Sequence, residues 1–215
     1  ATNNLSQQAS RKVNMIVTRR LRTWHPVSGW SAGTTATRNP AWAIADICRA
    51  DYGAGLPDNR IDLAGLYALA QEWDSRGDTF NGIFDRQSTI MESTTQVSRA
   101  GRGLPFMQGG ILQVVRDAAV ALPVAMFTQR NIQKQSLKLE YLMATEETAD
   151  CIDVSYFDED VWSQRTVRCT LPTGSNDKPA KVQLFGVTDR AQAWREGMYT
   201  IACNRYRRRL LTFGT

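Results

Sequence analysis

The sequence holds a single histidine, four widely spaced cysteines and no long apolar run, and each scarcity removes a class of function. With only His25 available as an imidazole base, a Ser-His-Asp or Cys-His arrangement would have to run through a loop residue in Trp24-His25-Pro26. No Gly-x-Ser-x-Gly turn accompanies it. Cys48, Cys151, Cys169 and Cys203 lie far apart and show no Cys-x-x-Cys spacing, so no zinc site is expected. Cys151 and Cys169 fall in consecutive strand-like runs, where a cross-strand pair is geometrically conceivable; buried free thiols in a reducing cytosol are the reading we prefer. The most apolar stretch, Ala118 to Phe127, carries Pro123 and falls short of the roughly 20 residues of a membrane helix. The first ten residues lack the charged-then-apolar layout of a secretory signal. The expectation is a chain that neither spans a membrane nor is exported by itself. Gly101-Arg102-Gly103 and Gly109-Gly110 lack the spacing of a nucleotide fingerprint, and neither an internal repeat nor a low-complexity tract is present.

What the sequence does have is the means to fold. Its 215 residues are 42% hydrophobic and 22% charged, enough to bury a core without disulfides or metals. The acids cluster as Glu146, Glu147 and Asp150, then as Asp158, Glu159 and Asp160, without the glycine and closing acid of an EF-hand loop. No carboxylate pair is singled out for glycoside hydrolysis. We expect no cofactor, no metal and no catalytic residue. The net charge of +5 is concentrated near the C-terminus at Arg205, Arg207, Arg208 and Arg209. Cations in a last helical turn favour the helix dipole by about 0.3–1 kcal/mol each, which makes such clusters common. Only Tyr206 interrupts the run, unlike the interleaved aromatics of nucleic-acid binders, so that partner is not expected. A protein–protein interface is the remaining use of the four arginines.

Along the chain, a polar arm gives way to alternation over Lys12 to Val17, a strand pattern, and then to a Gly-, Ser- and Thr-rich loop. Asn39 followed by Pro40 predicts a helix bearing Trp42, Ile44, Ala45, Ile47 and Cys48. A second helix carries Ile61, Leu63, Leu66, Leu69, Ala70 and Trp73 and stops at Gly77. Thr79 to Phe84 suggests a short strand. A third helix, capped by Asp85 or Ser88, holds Ile90, Met91, Thr94 and Val97 and ends at Gly101. LPFMQGGILQVVRD reads as a hairpin turning at Gln108-Gly109-Gly110. SLKLEYL, CIDVSYF and RTVRCTL read as strands, and VQLFG follows as a short apolar run. Thr188 or Asp189 opens a long helix with Ala191, Trp194, Met198, Ile201 and Ala202 on its stripe. LLTFGT looks like the start of another strand, so the expectation is a piece of something longer. The class is α+β: a helical block, then antiparallel strands and a long C-terminal helix, flanked by strands of a neighbouring β-rich domain. We divide it into an N-terminal arm, strand and linker (1–36), a helix and hairpin part (37–130) and a β-rich part with the long helix (131–215), with the last two as one compact unit as the alternative division.

Four phrases carry a resemblance: RNPAWAIADICRADYGAGLPDNRIDLAGLYALAQEWDSRGDTFNGIFD, LPFMQGGILQVVRD, SLKLEYLMATEETADCIDVSYFDEDVW and KPAKVQLFGVTDRAQAWREGMYTIACNRYRRRLLTFGT. In this order, from about Val13 to Thr215, the chain resembles the host-specificity protein J family of phage tail-tip proteins found in lambda-like phages and prophages. The resemblance implies a structural role, as part of a homotrimeric hub closing the distal end of the tail tube. It also implies contacts with tail-tube and other tail-tip proteins, assembly in the host cytoplasm, and receptor contact outside this segment. The two terminal strands, at Lys12–Val17 and from Leu210, are expected to pair with each other or with a neighbouring domain. The alternatives are a nucleic-acid-binding module using the arginine cluster and a tail-associated glycan hydrolase.

Overall fold

Asn39 begins the first helix and also fixes where it sits. In the computed structural model, which describes residues 15–119, 122–123, 125–141, 149–172 and 179–215, the Asn39 side chain accepts the Ala41 N–H at 2.9 Å. Its amide donates at 2.8 Å to the Ala70 carbonyl and to Asp74, so the cap of one helix is locked onto the flank of the next. These helices are α1 (Pro40–Arg49) and α2 (Leu63–Arg76); Asp62 caps α2 by accepting the Gly65 N–H at 2.9 Å. The third helix, α3 (Ile90–Arg99), starts at Thr89 rather than at Asp85 or Ser88. Thr89 and Glu92 form a reciprocal capping box, which only that three-residue spacing permits. Trp42, Ile44, Leu66, Trp73 and Val97 from the three helices make the first core.

The loop-like stretch before α1 contains two short ladders. β1 (Arg20–Leu21) pairs with β4 (Thr35–Ala36), and between them β2 (Trp24–His25) pairs with β3 (Gly29–Trp30). The strand expected at Lys12–Val17 is not found: Lys12 to Asn14 lie outside the described residues, and Met15 to Val17 are exposed and belong to no strand. Thr79 to Phe84 is not a strand either. It runs across the molecule, with the Phe80 N–H on the Arg38 carbonyl and the Asn81 N–H on that of Gly186.

The predicted hairpin forms from β5 (Gly103–Gln108) and β6 (Ile111–Arg116). Gly109 and Gly110 both have positive φ, 59° and 79°, as a two-residue hairpin turn of matching twist requires. Leu112 and Val114 face the first core, while Leu104 and Val115, paired on the other face, are exposed.

The second core is built on a three-stranded sheet ordered β10–β8–β9: β8 (Cys151–Asp158), β9 (Ser163–Thr170) and β10 (Pro179–Gln183). β8 and β9 are antiparallel, but β10 runs parallel to β8, a departure from the all-antiparallel expectation. Ile152, Val154 and Tyr156 point inward with Val167 and Cys169 opposite. The helix α4 (Arg190–Tyr206), capped by Asp189, covers this face. Its buried side overlaps the predicted stripe only in part: Ile201 is buried and Met198 packs against the core, but Ala191 and Trp194 are exposed, and Gln192, Ala193, Glu196 and Gly197 face inward instead. Small residues are needed there because α4 lies almost on the sheet. A Cβ at Gly197 would come 2.7 Å from Val154 Cγ2 and closer still to Cys169 Sγ. Phe80 packs against both cores and joins them.

After α4 the chain forms β11 (Arg209–Thr212), whose antiparallel partner is β7 (Lys138–Tyr141) rather than an N-terminal strand. Both strands of this ribbon are local in pattern, but the pairing joins segments about 70 residues apart, which no periodicity reveals.

Candidate functional site

Three places gather chemistry-bearing side chains: the seam between the two cores, a groove beside α1, and the surface where α4 passes into the β7–β11 ribbon. In the seam, Gln192 is fully buried and fully used. Its amide donates to the Thr79 and Ala100 carbonyls at 3.0 and 2.8 Å and accepts the Thr79 N–H at 3.2 Å. Asp78, also buried, accepts from Arg76 at 2.7 Å and from Arg195 at 2.8 Å. Glu196 Oε1 lies 3.1 Å from Arg102 Nε, but out of line for a hydrogen bond, so neither atom has a hydrogen-bond partner among the described residues. Arg195 Nε shares that condition. Arg102 stacks over Tyr199 at 4.5 Å and holds a left-handed φ of 59°. Arg116 donates to the Gly101 carbonyl at 3.2 Å and pairs with Glu72. Burial pushes the Glu196 carboxyl up to about 7, outweighing the pull of Arg102 in the other direction. Burial, and then the hydrogen bond it donates to Asp117, push the Tyr199 hydroxyl up.

The groove beside α1 has a volume of about 690 Å³ and is lined by Trp30, Tyr52, Arg20, Arg49 and Asp46 among others. Ion pairs take up three of its charges: Asp46 with Arg19 at 3.0 Å, and Arg49 with Asp58 at 2.8 Å while Arg49 stacks over Trp30 at 4.4 Å.

The four C-terminal arginines do not form one face. Arg205 lies in the last turn of α4, and its carbonyl accepts from Arg208 Nε at 2.8 Å. Arg207 folds back onto Asp117 and the Tyr199 hydroxyl. Arg209 opens β11 and lies 5.8 Å from the centre of the Tyr141 ring. Beside it the ribbon exposes an apolar face: Leu139 and Leu211 stand opposite each other at 44% and 56% exposure, with Tyr141 next to them at 55%. Phe127 packs edge-on against Phe213 at 5.0 Å at the same end. A second exposed aromatic group, Phe84 and Phe185 with Ile83, surrounds Phe80 at the edge of the seam.

The other sequence candidates take structural roles. His25 Nδ1 accepts the Val27 N–H at 3.2 Å, and its ring meets Tyr67 edge-on. Asp158 turns the β8–β9 hairpin by accepting the Asp160 and Val161 N–H groups, while Glu159 pairs with Arg38 at 3.0 Å. Glu146 and Glu147 lie outside the described residues. Cys151 and Cys169 are free; the register sets Cys151 opposite Thr170 and Cys169 opposite Ile152, so the two thiols point to opposite faces. Burial pushes the Cys48 thiol up to about 11 and raises Cys151 and Cys169 as well. Among the described residues no group of three or more His, Cys, Asp or Glu side chains is placed to hold a metal ion, and no helix is long and apolar enough to cross a membrane. Sequence reasoning missed Asp78, Arg102, Gln192 and Glu196. The only trace of them is the Gly-Arg-Gly turn at 101–103, since each is a polar residue whose burial no hydrophobic pattern marks.

Residues 95–215, more than half of the chain, match the family model described as "Putative phage tail protein". The chain belongs to this family of phage tail proteins. The matched part takes in the end of α3, the β5–β6 hairpin, the second core, α4 and the ribbon. Among solved structures, a chain of the "Virion of native gene transfer agent (GTA) particle" is similar over 81% of this chain and 37% of its own, with 20% identity and a TM-score of 0.60, and shares the fold. The crystal structure of the tail protein from Neisseria meningitidis MC58 aligns over 63% of this chain and 41% of its own, with 16% identity and a TM-score of 0.44. The tail family member described here thus spans about two fifths of the length of either solved chain. No curated protein matches it.

Proposed function

We propose that this chain is a structural segment of the hub at the distal tip of a phage or prophage tail, a homotrimer in the full-length protein and not an enzyme. The 37–130 and 131–215 parts act there as one unit, joined through Phe80 and the charged seam. Its partners are the other copies, the tail tube and neighbouring tail-tip proteins, and host receptors are met outside this segment. The observation that carries the reading is the uncovered β7–β11 ribbon in a member of a tail protein family. Two strands with an apolar face do not hold together in water without a third strand or a covering element. The place of the similar gene transfer agent chain in a virion supports a role in a particle. Arg205, Arg208 and Arg209 border the ribbon and supply a charged rim of the kind that sets register with an acidic neighbour.

Antibody raised against this segment, carried on gold and applied to intact particles, tests the reading by electron microscopy. Label confined to the distal end of the tail is the expected result. Label along the tube or on the head, or tailed particles that stay unlabelled both intact and after disruption of the tip, overturns it. Reversing Arg205, Arg208 and Arg209 to Glu lowers tail assembly while leaving the isolated chain folded; unchanged assembly removes the arginines from the interface.

A further inference from the structure

Two surfaces of this chain expose large apolar side chains beside unpaired charges, and those charges are of opposite sign. One is the tip of the β8–β9 hairpin. Val161 and Trp162 stand there at 47% and 58% exposure, and the Phe157 ring meets Trp162 edge-on at 6.0 Å. Trp162 holds a left-handed φ of 52°, which glycine adopts freely and a bulky side chain resists. A turn alone would be better served by glycine, so the indole at this place acts on something outside the turn. Of the three acids at the tip, Glu159 is taken by Arg38 and Asp158 by the Asp160 and Val161 N–H groups. Asp160 is exposed, and its carboxylate has no hydrogen bond or ion pair among the described residues. The other surface is the β7–β11 ribbon with Leu139, Tyr141 and Leu211 on its open face. Arg205, Arg208 and Arg209 border it, and among the described residues none of the three pairs with a carboxylate.

The two surfaces lie at opposite ends of α4. The tip is tied to the start of the helix: the Glu159 N–H reaches the Thr188 carbonyl at 3.4 Å, and the Thr188 hydroxyl donates to Glu159 at 3.0 Å, one residue before the Asp189 cap. The ribbon follows the last turn, since β11 opens at Arg209 just after the helix ends at Tyr206. The 17 residues of α4 span about 25 Å at a rise of 1.5 Å each. A surface and its complement held that far apart by one helix do not meet within a chain. They do meet between copies placed head to tail, and a contact of that kind closes into a ring when the rotation between copies divides the circle.

We propose that the β8–β9 tip of one copy docks on the β7–β11 ribbon of the next, with Trp162 against Leu139 and Leu211 and Asp160 facing the arginine rim. The proposal rests on the hub reading above, which brings several copies into one particle. The occupant is a second copy because every copy carries both halves of the contact, an apolar centre on each side and opposite charge at the edge. A tryptophan buried at the centre supplies the affinity of such an interface, while the charges around it fix orientation and register. The strained backbone at Trp162 then has its reason, since it holds the indole out from the hairpin where the next copy meets it.

Cysteine cross-linking in purified particles tests the contact. Particles made with Trp162→Cys and Leu211→Cys in the same chain, oxidised after purification, are expected to give covalently linked copies on a non-reducing gel, and each single substitution none. Linkage by Trp162→Cys alone would bring two tips together and overturns the head-to-tail contact. Trp162→Gly supplies an independent measurement, because it removes the indole and relieves the backbone at once. The isolated variant chain keeps or raises its melting temperature, while its amount in particles falls at least about tenfold. Incorporation at the natural level overturns the proposal, and this variant alone decides should the double-cysteine chain not enter particles. Gold label at the distal end of the tail without linkage of the double-cysteine chain defeats the contact and leaves the hub reading standing. Label absent from the distal end defeats the hub reading, and the proposal with it.

Discussion

CIDVSYF and SLKLEYL alternate apolar and polar residues in the same way, yet one is the centre of a core and the other lies on the surface. In β8, Ile152, Val154 and Tyr156 are covered by α4 and flanked by strands on both sides. In β7, Leu139 and Tyr141 share a face with Leu211 of β11, and among the described residues only that one strand pairs with it. Period-two alternation dictates a strand and a face. It does not say whether the cover for that face is part of the same chain. Under the function proposed above, that cover is supplied by other chains of the particle.

The sharpest way to break this comparison is to truncate equivalent positions. Ile152→Ala, at a residue 1% exposed, is expected to cost the isolated chain about 2–5 kcal/mol, read as the shift of its urea midpoint. Leu139→Ala in the same experiment costs much less, about 0.5 kcal/mol, because the residue is already 44% exposed. Equal costs would mean that the ribbon is covered in solution and that the comparison fails.

Next in size is the contact that makes β8 a core strand. Gly197→Ala puts a methyl into Val154 and Cys169, and overpacking of this kind costs about 1–3 kcal/mol. The substitution is compared in the same urea series with Trp194→Ala on the exposed side of α4, where alanine meets no such clash and a smaller cost is expected.

How much of this was legible beforehand depends on what each residue contributes. Asn39-Pro40, the stripe of α2 and Gly109-Gly110 act through their own neighbours, so caps, periodicity and turn chemistry revealed them. Part of the α4 face was misread because its register is set by Gly197 pressed on the sheet and by Gln192 and Glu196 in the seam, none of which is hydrophobic, and by Ala193, which is small. The N-terminal strand and the partner of β11 were misassigned for another reason, since pairing over long separations depends on which edges the fold leaves open. The arginines were readable as a cluster but not as four different environments.

A smaller effect separates the charged faces of the two sheets. Asp153 on β8 takes Arg168 of β9 in two hydrogen bonds of 2.7 and 2.8 Å, and these hold its carboxyl below the ordinary value. A depressed folded value means that the pair stabilises above about pH 3.8 and that this share is lost as pH falls through the folded value. Because the pair is partly exposed, Asp153→Asn is expected to cost about 0.2–1 kcal/mol at pH 7, and the cost shrinks as pH falls below about 3.8, compared by thermal melts across that range.

The smallest expected effect on stability carries the largest consequence for assembly. Leu139→Ser with Leu211→Ser removes the apolar pair at the centre of the ribbon face, and in the isolated chain this changes stability by no more than about 0.5 kcal/mol. If the face is covered by another chain in the particle, the same pair of substitutions abolishes incorporation, since each polar group would be buried there without a partner. The readout is the amount of this protein in purified particles made from the variant gene, beside the urea midpoint of the variant chain. A chain that keeps its midpoint and is lost from particles assigns the ribbon to an interface between chains. A chain that keeps both shows the ribbon bare in the assembled tail, and the apolar alternation of β7 would then have no cover anywhere, which the cost of leaving such a ribbon in water argues against.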